Sequence, residues 1–115
     1  MGTKGGEIEM SMQEIKLRDE IFPLLLSGKK KTTTRKGKRE INLDLMRIVA
    51  TDGTVEPVVK MVSRVEYVRM VNMTEEDAIN DGYDSLAEWR GVMWSIYGEL
   101  PGDEIITIIH FECEG

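Results

Sequence analysis

The sequence has one cysteine, Cys113, and one histidine, His110, among its 115 residues. A single cysteine cannot form an intramolecular disulfide, so we expect a protein of a reducing compartment, the cytoplasm. Neither residue stands in a metal-ligand pattern, and the sequence predicts no metal site and no other cofactor. We expect Cys113 to be inert and His110 to be a packed residue of a terminal strand.

Long apolar segments are also absent. The longest, such as residues 21–26, fall well short of the roughly 20 residues that a membrane-spanning helix needs, so we expect no membrane partner. Residues 7–9 are Glu, Ile and Glu, where a signal peptide would be apolar. The length and the 41% hydrophobic content predict one domain, at 12–115, after a flexible leader at 1–11.

Acidic residues are missing between positions 29 and 39, although the chain as a whole carries a formal charge of −6. Seven of its 15 basic residues lie in that stretch: Lys29, Lys30, Lys31, Arg35, Lys36, Lys38 and Arg39. The acidic remainder argues against sequence-independent coating of DNA, which needs many distributed phosphate contacts. The basic segment predicts a local site for an anion, a polar substrate or a nucleic-acid backbone, with a solvated basic turn as the alternative.

Hydrophobic periodicity and turn signals predict an α+β domain with a curled, mostly antiparallel sheet flanked by about three helices. The second strand of a central hairpin is long enough to bend around a barrel. Capping patterns at Thr74 and Ser85 begin two of the helices, and Gly98 ends the second. The predicted strands are 12–17, 30–36, 43–50, 57–71 and 104–112, and the predicted first helix is 19–26.

The basic segment contains the pattern Gly28-x-Lys30-x-x-Thr33-x-Arg35. A threonine hydroxyl becomes a nucleophile when a base removes its proton, and a neutral lysine amine can be that base. Like charges and burial would both lower the pKa of Lys30 as required. Residues three apart face opposite sides of a strand, so Lys30 must lie in the turn before the strand or at a bulge to meet Thr33. Lys31 and Thr33, which share a face, are the alternative pair.

Three segments together resemble the ASCH domain, a branch of the PUA-like superfamily. They are the basic segment 28–37, the acidic helix start at 74–78 with Asp81-Gly82-Tyr83, and the closing strand 106–112. The resemblance implies a small β-barrel of mostly antiparallel strands with flanking helices and a cleft floored by the basic segment. The family was proposed to bind RNA, and its small bacterial members include an amidohydrolase that removes the acetyl group of N(4)-acetylcytidine.

By this resemblance, Lys30 corresponds to the catalytic lysine and Thr33 to the catalytic threonine. The third catalytic residue of the family enzyme is a glutamate, for which Asp81 is the nearest match and Glu76 and Asp77 are alternatives. The implied mechanism is acyl transfer: Thr33 attacks the carbonyl carbon, Lys30 moves the proton, and Asp81 positions Lys30.

Substrate-binding residues are expected around that triad. Arg35, or backbone amides near Gly28, could stabilise the oxyanion. Lys31 is expected to contact the substrate, and Tyr83 or Trp89 could stack on the base, although packing in the core is the simpler role of the tryptophan.

Three functions follow from the sequence. The first is an amidohydrolase acting on N(4)-acetylcytidine or a related modified nucleoside. The second is a non-catalytic RNA-binding ASCH module. The third is a ligand sensor or protein-interaction domain, and the aspartate in place of the family glutamate is its main support.

Overall fold

The computed structural model describes residues 12–112 of the chain. The predicted leader at 1–11 and Cys113 lie outside the described residues. The strands are β1 (Gln13–Leu17), β2 (Thr32–Lys36), β3 (Leu45–Ala50), β4 (Val58–Arg69) and β5 (Ile105–Phe111), and the helices are α1 (Phe22–Ser27), α2 (Glu75–Asn80) and α3 (Leu86–Tyr97).

The five strands form one curled sheet in the order β1-β3-β4-β5-β2, a half-barrel with β1 and β2 at its edges. Only the pairing of β1 with β3 is parallel among the strand pairs of residues 12–112. Strand β4 pairs with β3 through its first residues and with β5 through the rest, and its register shifts between Val62 and Arg64. Such a bulge bends a strand and increases its twist. The predicted α+β class, curled sheet and three helices are therefore confirmed.

The predicted first helix is shorter than expected and begins differently. Residues Asp19–Ile21 form a 3-10 turn, and α1 starts only at Phe22, with Pro23 in its first turn. Proline lacks a backbone N–H and is tolerated there. Gly28, at φ +88°, ends the helix in the left-handed conformation, as predicted.

The sheet separates two apolar cores, which meet opposite faces of β5. Ile109 and Phe111 face the inside of the curl, where Phe22 and Leu25 of α1 fill the space. Ile106 and Ile108 face the other side, against Trp89 and Met93 of α3. Strand β2, paired with β5, therefore presents alternate side chains to α3 and to the interior of the curl.

Both late helices begin at the predicted caps. The Thr74 hydroxyl accepts a hydrogen bond from Asp77 N–H, and the Asp77 carboxylate accepts one from Thr74 N–H. The Ser85 hydroxyl accepts from Glu88 N–H at the start of α3. The short segment Asp81–Asp84 connects the end of α2 to the cap of α3. No helix in residues 12–112 is long and apolar enough to cross a membrane.

Candidate functional site

A cleft of about 270 Å³ opens where the two edge strands approach α3. Its floor comes from the turn before β2 and from β2, and one wall comes from the loop between α2 and α3. A second, largely apolar wall comes from α3, and the end of β1 closes the rim. The lining residues are Lys16, Leu17, Arg18, Ile21, Lys30, Thr33, Thr34, Arg35, Thr51, Asp81, Tyr83, Val92, Met93, Ile96 and Tyr97.

Lys30 lies in the turn before β2, one of the two positions that strand parity allowed for a contact with Thr33, and the strand predicted at 30–36 begins only at Thr32. The Lys30 N–H donates to Leu24 O at 3.0 Å, and the next N–H, of Lys31, donates to Asn80 O at 2.6 Å. The backbone is thus fixed between α1 and the end of α2. Gly82 packs against the Lys30 stem so closely that a Cβ there would lie 3.3 Å from Lys30 Cβ. These contacts direct a lysine side chain inward, where it is only 4% exposed.

The Lys30 amine pairs with Asp81 at the end of α2. Lys30 Nζ lies 2.5 Å from Asp81 Oδ1 and donates to Asp81 O at 3.0 Å. Burial lowers the pKa of Lys30 from its ordinary value, and the Asp81 charge opposes this. Burial raises the pKa of Asp81, with Lys30 as the main opposing influence. Because desolvation disfavours both charged forms, the two pKa values move toward each other.

Asp81 has a second partner that the sequence did not indicate. The Thr34 hydroxyl donates to Asp81 Oδ2 at 2.9 Å and accepts from Trp89 Nε1–H at 3.0 Å. Every residue in this chain of hydrogen bonds is buried. Thr34 therefore fixes the carboxylate plane from the side opposite Lys30.

Thr33 faces the same cleft but has a different neighbour. Arg35 Nη1 donates to Thr33 Oγ1 at 2.9 Å and to Thr34 O at 2.7 Å, while Arg35 Nη2 donates to Lys16 O at 2.6 Å. The guanidinium thus joins β2 to β1 across the open edge of the half-barrel. Within residues 12–112, no hydrogen bond links Lys30 to Thr33.

The sequence model of the ASCH domain family matches residues 8–114. The chain belongs to the ASCH domain family. No curated protein matches the chain in a sequence search. Among solved structures, an ASCH domain from Lactobacillus crispatus JV V101 has a TM-score of 0.73 at 16% identity, covering 92% of this chain and 83% of its own.

Two further structures share the fold. A protein from Enterococcus faecalis V583 assigned to family DUF984 has a TM-score of 0.65 at 17% identity, covering 96% of this chain and 85% of its own. The hypothetical protein PH0355 has a TM-score of 0.62 at 20% identity, covering 88% of this chain and 99% of its own. At these identities the likeness concerns the fold.

Two of the predicted substrate-binding residues of this ASCH domain lie outside the main cleft. Gly28 and Lys31 line a separate cavity behind Lys30, with Lys60 and Phe111. The N–H of Gly28 donates to Leu25 O in the helix cap. The Gly28 amide is therefore engaged in the helix cap and does not face the main cleft, and Lys31 is exposed beside the other cavity.

Of the remaining candidate residues, some line the cleft and others do not. Tyr83 lines the cleft and is half-buried, and burial raises the pKa of its hydroxyl. Trp89 is buried in the core of the ASCH domain at 1% exposure, so the stacking role considered for it is wrong. Glu76 is exposed, and Asp77 is occupied by the helix cap. Of the three acidic candidates, only Asp81 contacts Lys30.

His110 lies on β5, away from the cleft. Its Nε2 is 2.6 Å from Glu66 Oε1 and 3.3 Å from Arg64 Nη2. Within the described part of the chain, no three side chains of the metal-binding types come together as a cation site.

Proposed function

We propose that this ASCH domain is an amidohydrolase that removes an acyl group from the exocyclic amine of a cytidine, as in N(4)-acetylcytidine. The observation that carries the proposal is the buried Lys30–Asp81 pair in the same cleft as Thr33. A buried charged pair adds little stability compared with apolar residues of the same size, so a chemical role is a good reason for its presence.

Lys30 is suited to accept a proton. The amine nitrogen is tetrahedral, so it has three hydrogen or lone-pair positions besides its bond to Cε. Two of these positions point to Asp81, one to Oδ1 and one to the backbone carbonyl oxygen. The third position carries an N–H in the ammonium and a lone pair in the neutral amine. Because burial lowers the pKa of Lys30, the neutral form with its free lone pair becomes accessible.

Thr33 is suited to be the nucleophile. Its hydroxyl oxygen accepts a hydrogen bond from Arg35, so a positive charge lies beside the atom that becomes negative on losing its proton. The hydroxyl proton is left to be donated. The Thr34 hydroxyl, in contrast, already accepts from Trp89 and donates to Asp81, which makes it a structural group.

The reaction divides into two acyl transfers. Lys30 Nζ takes the Thr33 hydroxyl proton as Oγ1 attacks the acyl carbonyl carbon. The C–N bond then breaks, Lys30 gives its proton to the leaving nitrogen, and cytidine departs from an acyl-threonine ester. Water attacks that ester as Lys30 takes a proton from it. The bond from the acyl carbon to Thr33 Oγ1 then breaks, Lys30 returns the proton to Oγ1, and the carboxylic acid leaves with Thr33 and the neutral amine restored.

The walls of the cleft fit a flat base with an acyl substituent. Tyr83 and Tyr97 offer aromatic surface, and Val92 and Ile96 add an apolar wall. Bases stack on aromatic side chains with little dependence on hydrogen-bonding pattern. We therefore place the base between the tyrosines and the acyl carbonyl at Thr33.

The test is hydrolysis of N(4)-acetylcytidine by the purified protein, with acetate and cytidine measured together. We expect equal amounts of both products. Lys30→Met should reduce kcat by about 100-fold or more, the usual contribution of a general base. For Thr33→Ala, the matched control is Thr54→Ala, which changes a threonine outside the cleft and should keep wild-type kcat. No acetate from the wild-type protein would refute the proposal.

RNA binding without chemistry is a second candidate, and a specific surface supports it. Five of the seven cations in the basic segment are exposed: Lys29, Lys31, Lys36, Lys38 and Arg39. Lys38 Nζ lies 5.2 Å from the centre of the Tyr67 ring, which is 41% exposed. An exposed aromatic beside cations is typical of single-stranded RNA sites. Affinity for short RNAs that falls steeply with salt, with no acetate release, would favour this candidate.

A further inference from the structure

The cleft has the opposite charge to the molecule that contains it. Four basic residues and one acidic residue line it, a formal balance of +3 in a chain of −6. Lys30 and Asp81 cancel as a pair, so the balance comes from Lys16, Arg18 and Arg35. A cationic cleft attracts anions, and the acidic remainder of the surface repels them, so anions concentrate at the cleft. An uncharged nucleoside would gain nothing from this arrangement.

Two of these three cations, Lys16 and Arg18, lie at the mouth of the cleft. The Lys30 side chain, where the acyl group would react, is 4% exposed, whereas the Arg18 side chain is 49% exposed. Lys16, also on the rim, is exposed. An anionic group on the substrate would therefore meet these cations at the end that points to solvent, and the acyl end would remain inside.

Arg18 has an exposed ion pair that it can exchange for such a group. Its only ion pair within residues 12–112 joins Arg18 Nη1 to Glu20 Oε2 at 3.7 Å, and the Glu20 side chain is 69% exposed. A pair this exposed contributes little energy and is easily exchanged. Arg35, in contrast, is engaged with Thr33 and Lys16 O.

Tyr83 connects this cation to the base site. Arg18 and Tyr83 line the same cleft, and the Arg18 charge opposes the rise in the pKa of the Tyr83 hydroxyl that burial produces. With the base on the Tyr83 ring, we place the sugar and its phosphate toward Arg18. A guanidinium binds phosphate through two parallel N–H groups, a geometry that the phosphate oxygens match.

We infer that the substrate is a nucleotide, whose phosphate binds at the mouth of the cleft to Arg18, with Lys16 adding charge. This inference rests on the proposed deacylation, with the acyl group at Thr33. The phosphate could belong to a free nucleotide or to an RNA strand, and both present the same group to Arg18.

Binding of the deacylated products tests the inference without requiring turnover. Titration calorimetry compares cytidine, cytidine 5′-monophosphate and a cytidine-containing RNA trinucleotide on the wild-type protein. We expect the monophosphate to bind about tenfold more tightly than cytidine, as one charge-assisted contact provides. Tighter binding of the trinucleotide would assign the phosphate to RNA, and equal binding would assign it to a free nucleotide.

Two variants locate the contact. Arg18→Ala should remove most of the preference for the monophosphate, because Lys16 is then the remaining cation on the rim. Arg69→Ala, an exposed arginine that does not line the cleft, is the matched control and should retain the preference. Equal affinity of the wild-type protein for cytidine and its monophosphate, or binding of neither, would overturn the inference. A preference for the monophosphate without acetate release from acylated substrates would refute the deacylation alone.

Discussion

Lys30 Nζ lies 2.5 Å from Asp81 Oδ1, although the two residues are 51 positions apart in the sequence. Both side chains are almost completely buried, at 4% and 3% exposure. Asp81 is one methylene shorter than the glutamate of the family enzyme, yet it contacts the amine directly. The main support for a non-catalytic sensor was the shorter side chain, and this contact weakens that argument.

Removing the charge of Asp81 should destabilise the protein. Asp81→Asn leaves Lys30 buried without a counter-charge, so we expect a loss of about 3 kcal/mol in the free energy of unfolding, measured with urea. Lys30→Met together with Asp81→Asn should recover part of that loss, because no unpaired charge remains.

The matched control is Asp84→Asn, which removes the partner of Lys29 at an exposed site. Its effect should stay within about 0.5 kcal/mol. An Asp81→Asn protein as stable as this control would contradict a buried ion pair at Lys30.

The pKa of Lys30 should lie below its ordinary value of 10.5, because burial is the largest influence on it. The resonance of Lys30 Cε in a pH titration by NMR reports this pKa directly. Asp81 raises the pKa and Arg35 lowers it, so Asp81→Asn should move the midpoint to lower pH and Arg35→Met to higher pH. Shifts in the same direction in both variants would refute the assignment.

The lowered pKa also has a consequence for stability. Between the folded-state pKa and 10.5, the unfolded chain holds the Lys30 proton and the folded chain does not. Unfolding therefore takes up a proton, and the contribution of Lys30 to stability rises with pH across this window. Lys30→Met should remove that rise, as measured by urea unfolding at a series of pH values.

Arg35 should hold the two sheet edges together. Its Nη2 donates to Lys16 O at 2.6 Å, a contact that no strand pairing replaces, because β1 and β2 are the opposite edges of the sheet. Arg35→Met should destabilise the fold by about 1.5–3 kcal/mol, the range for a hydrogen bond to a charged group.

Hydrogen exchange locates this effect. The amides of β1 should exchange faster in Arg35→Met, whereas those of β5, in the centre of the sheet, should change less. Uniform acceleration in both strands would show that Arg35 does not act at the open edge.

Gly82 should be needed for the position of Lys30. Its φ is +97°, and a Cβ there would lie 3.3 Å from Lys30 Cβ. Gly53, at φ +72°, has no atom within 4 Å of an added Cβ, so Gly53→Ala measures the backbone strain alone, about 1–2 kcal/mol. Gly82→Ala should exceed that effect and also lower kcat. Equal stability losses and unchanged kcat would contradict the contact with Lys30.

Local signals in the sequence predicted the element order. The caps at Thr74 and Ser85 depend on neighbouring residues only. The parity of β2 allowed Lys30 either in the turn before the strand or at a bulge, and the structure has it in the turn. The predicted strand at 57–71 is confirmed as β4, although its last residues form a 3-10 turn at Met70–Asn72.

Contacts between distant segments could not be predicted in this way. The hydrogen bonds from Trp89 to Thr34 and from Arg35 to Lys16 depend on how the sheet curls and where α3 packs. For the same reason, the sequence predicted Gly28 and Lys31 as residues of the cleft. In the structure Gly28 is the helix cap, and both residues line the cavity on the other side of Lys30. The sequence pattern singled out Thr33, and nothing in it indicated that Thr34 would contact Asp81.

The rate of acetate release from N(4)-acetylcytidine by Thr33→Ala, beside the wild-type protein, tests the central claim most directly. If Thr33 is the nucleophile that Lys30 activates, the wild-type protein should release acetate. Thr33→Ala should release it at least about 100-fold more slowly, while still showing the cooperative unfolding of a folded protein. Acetate release by Thr33→Ala at the wild-type rate would contradict the account.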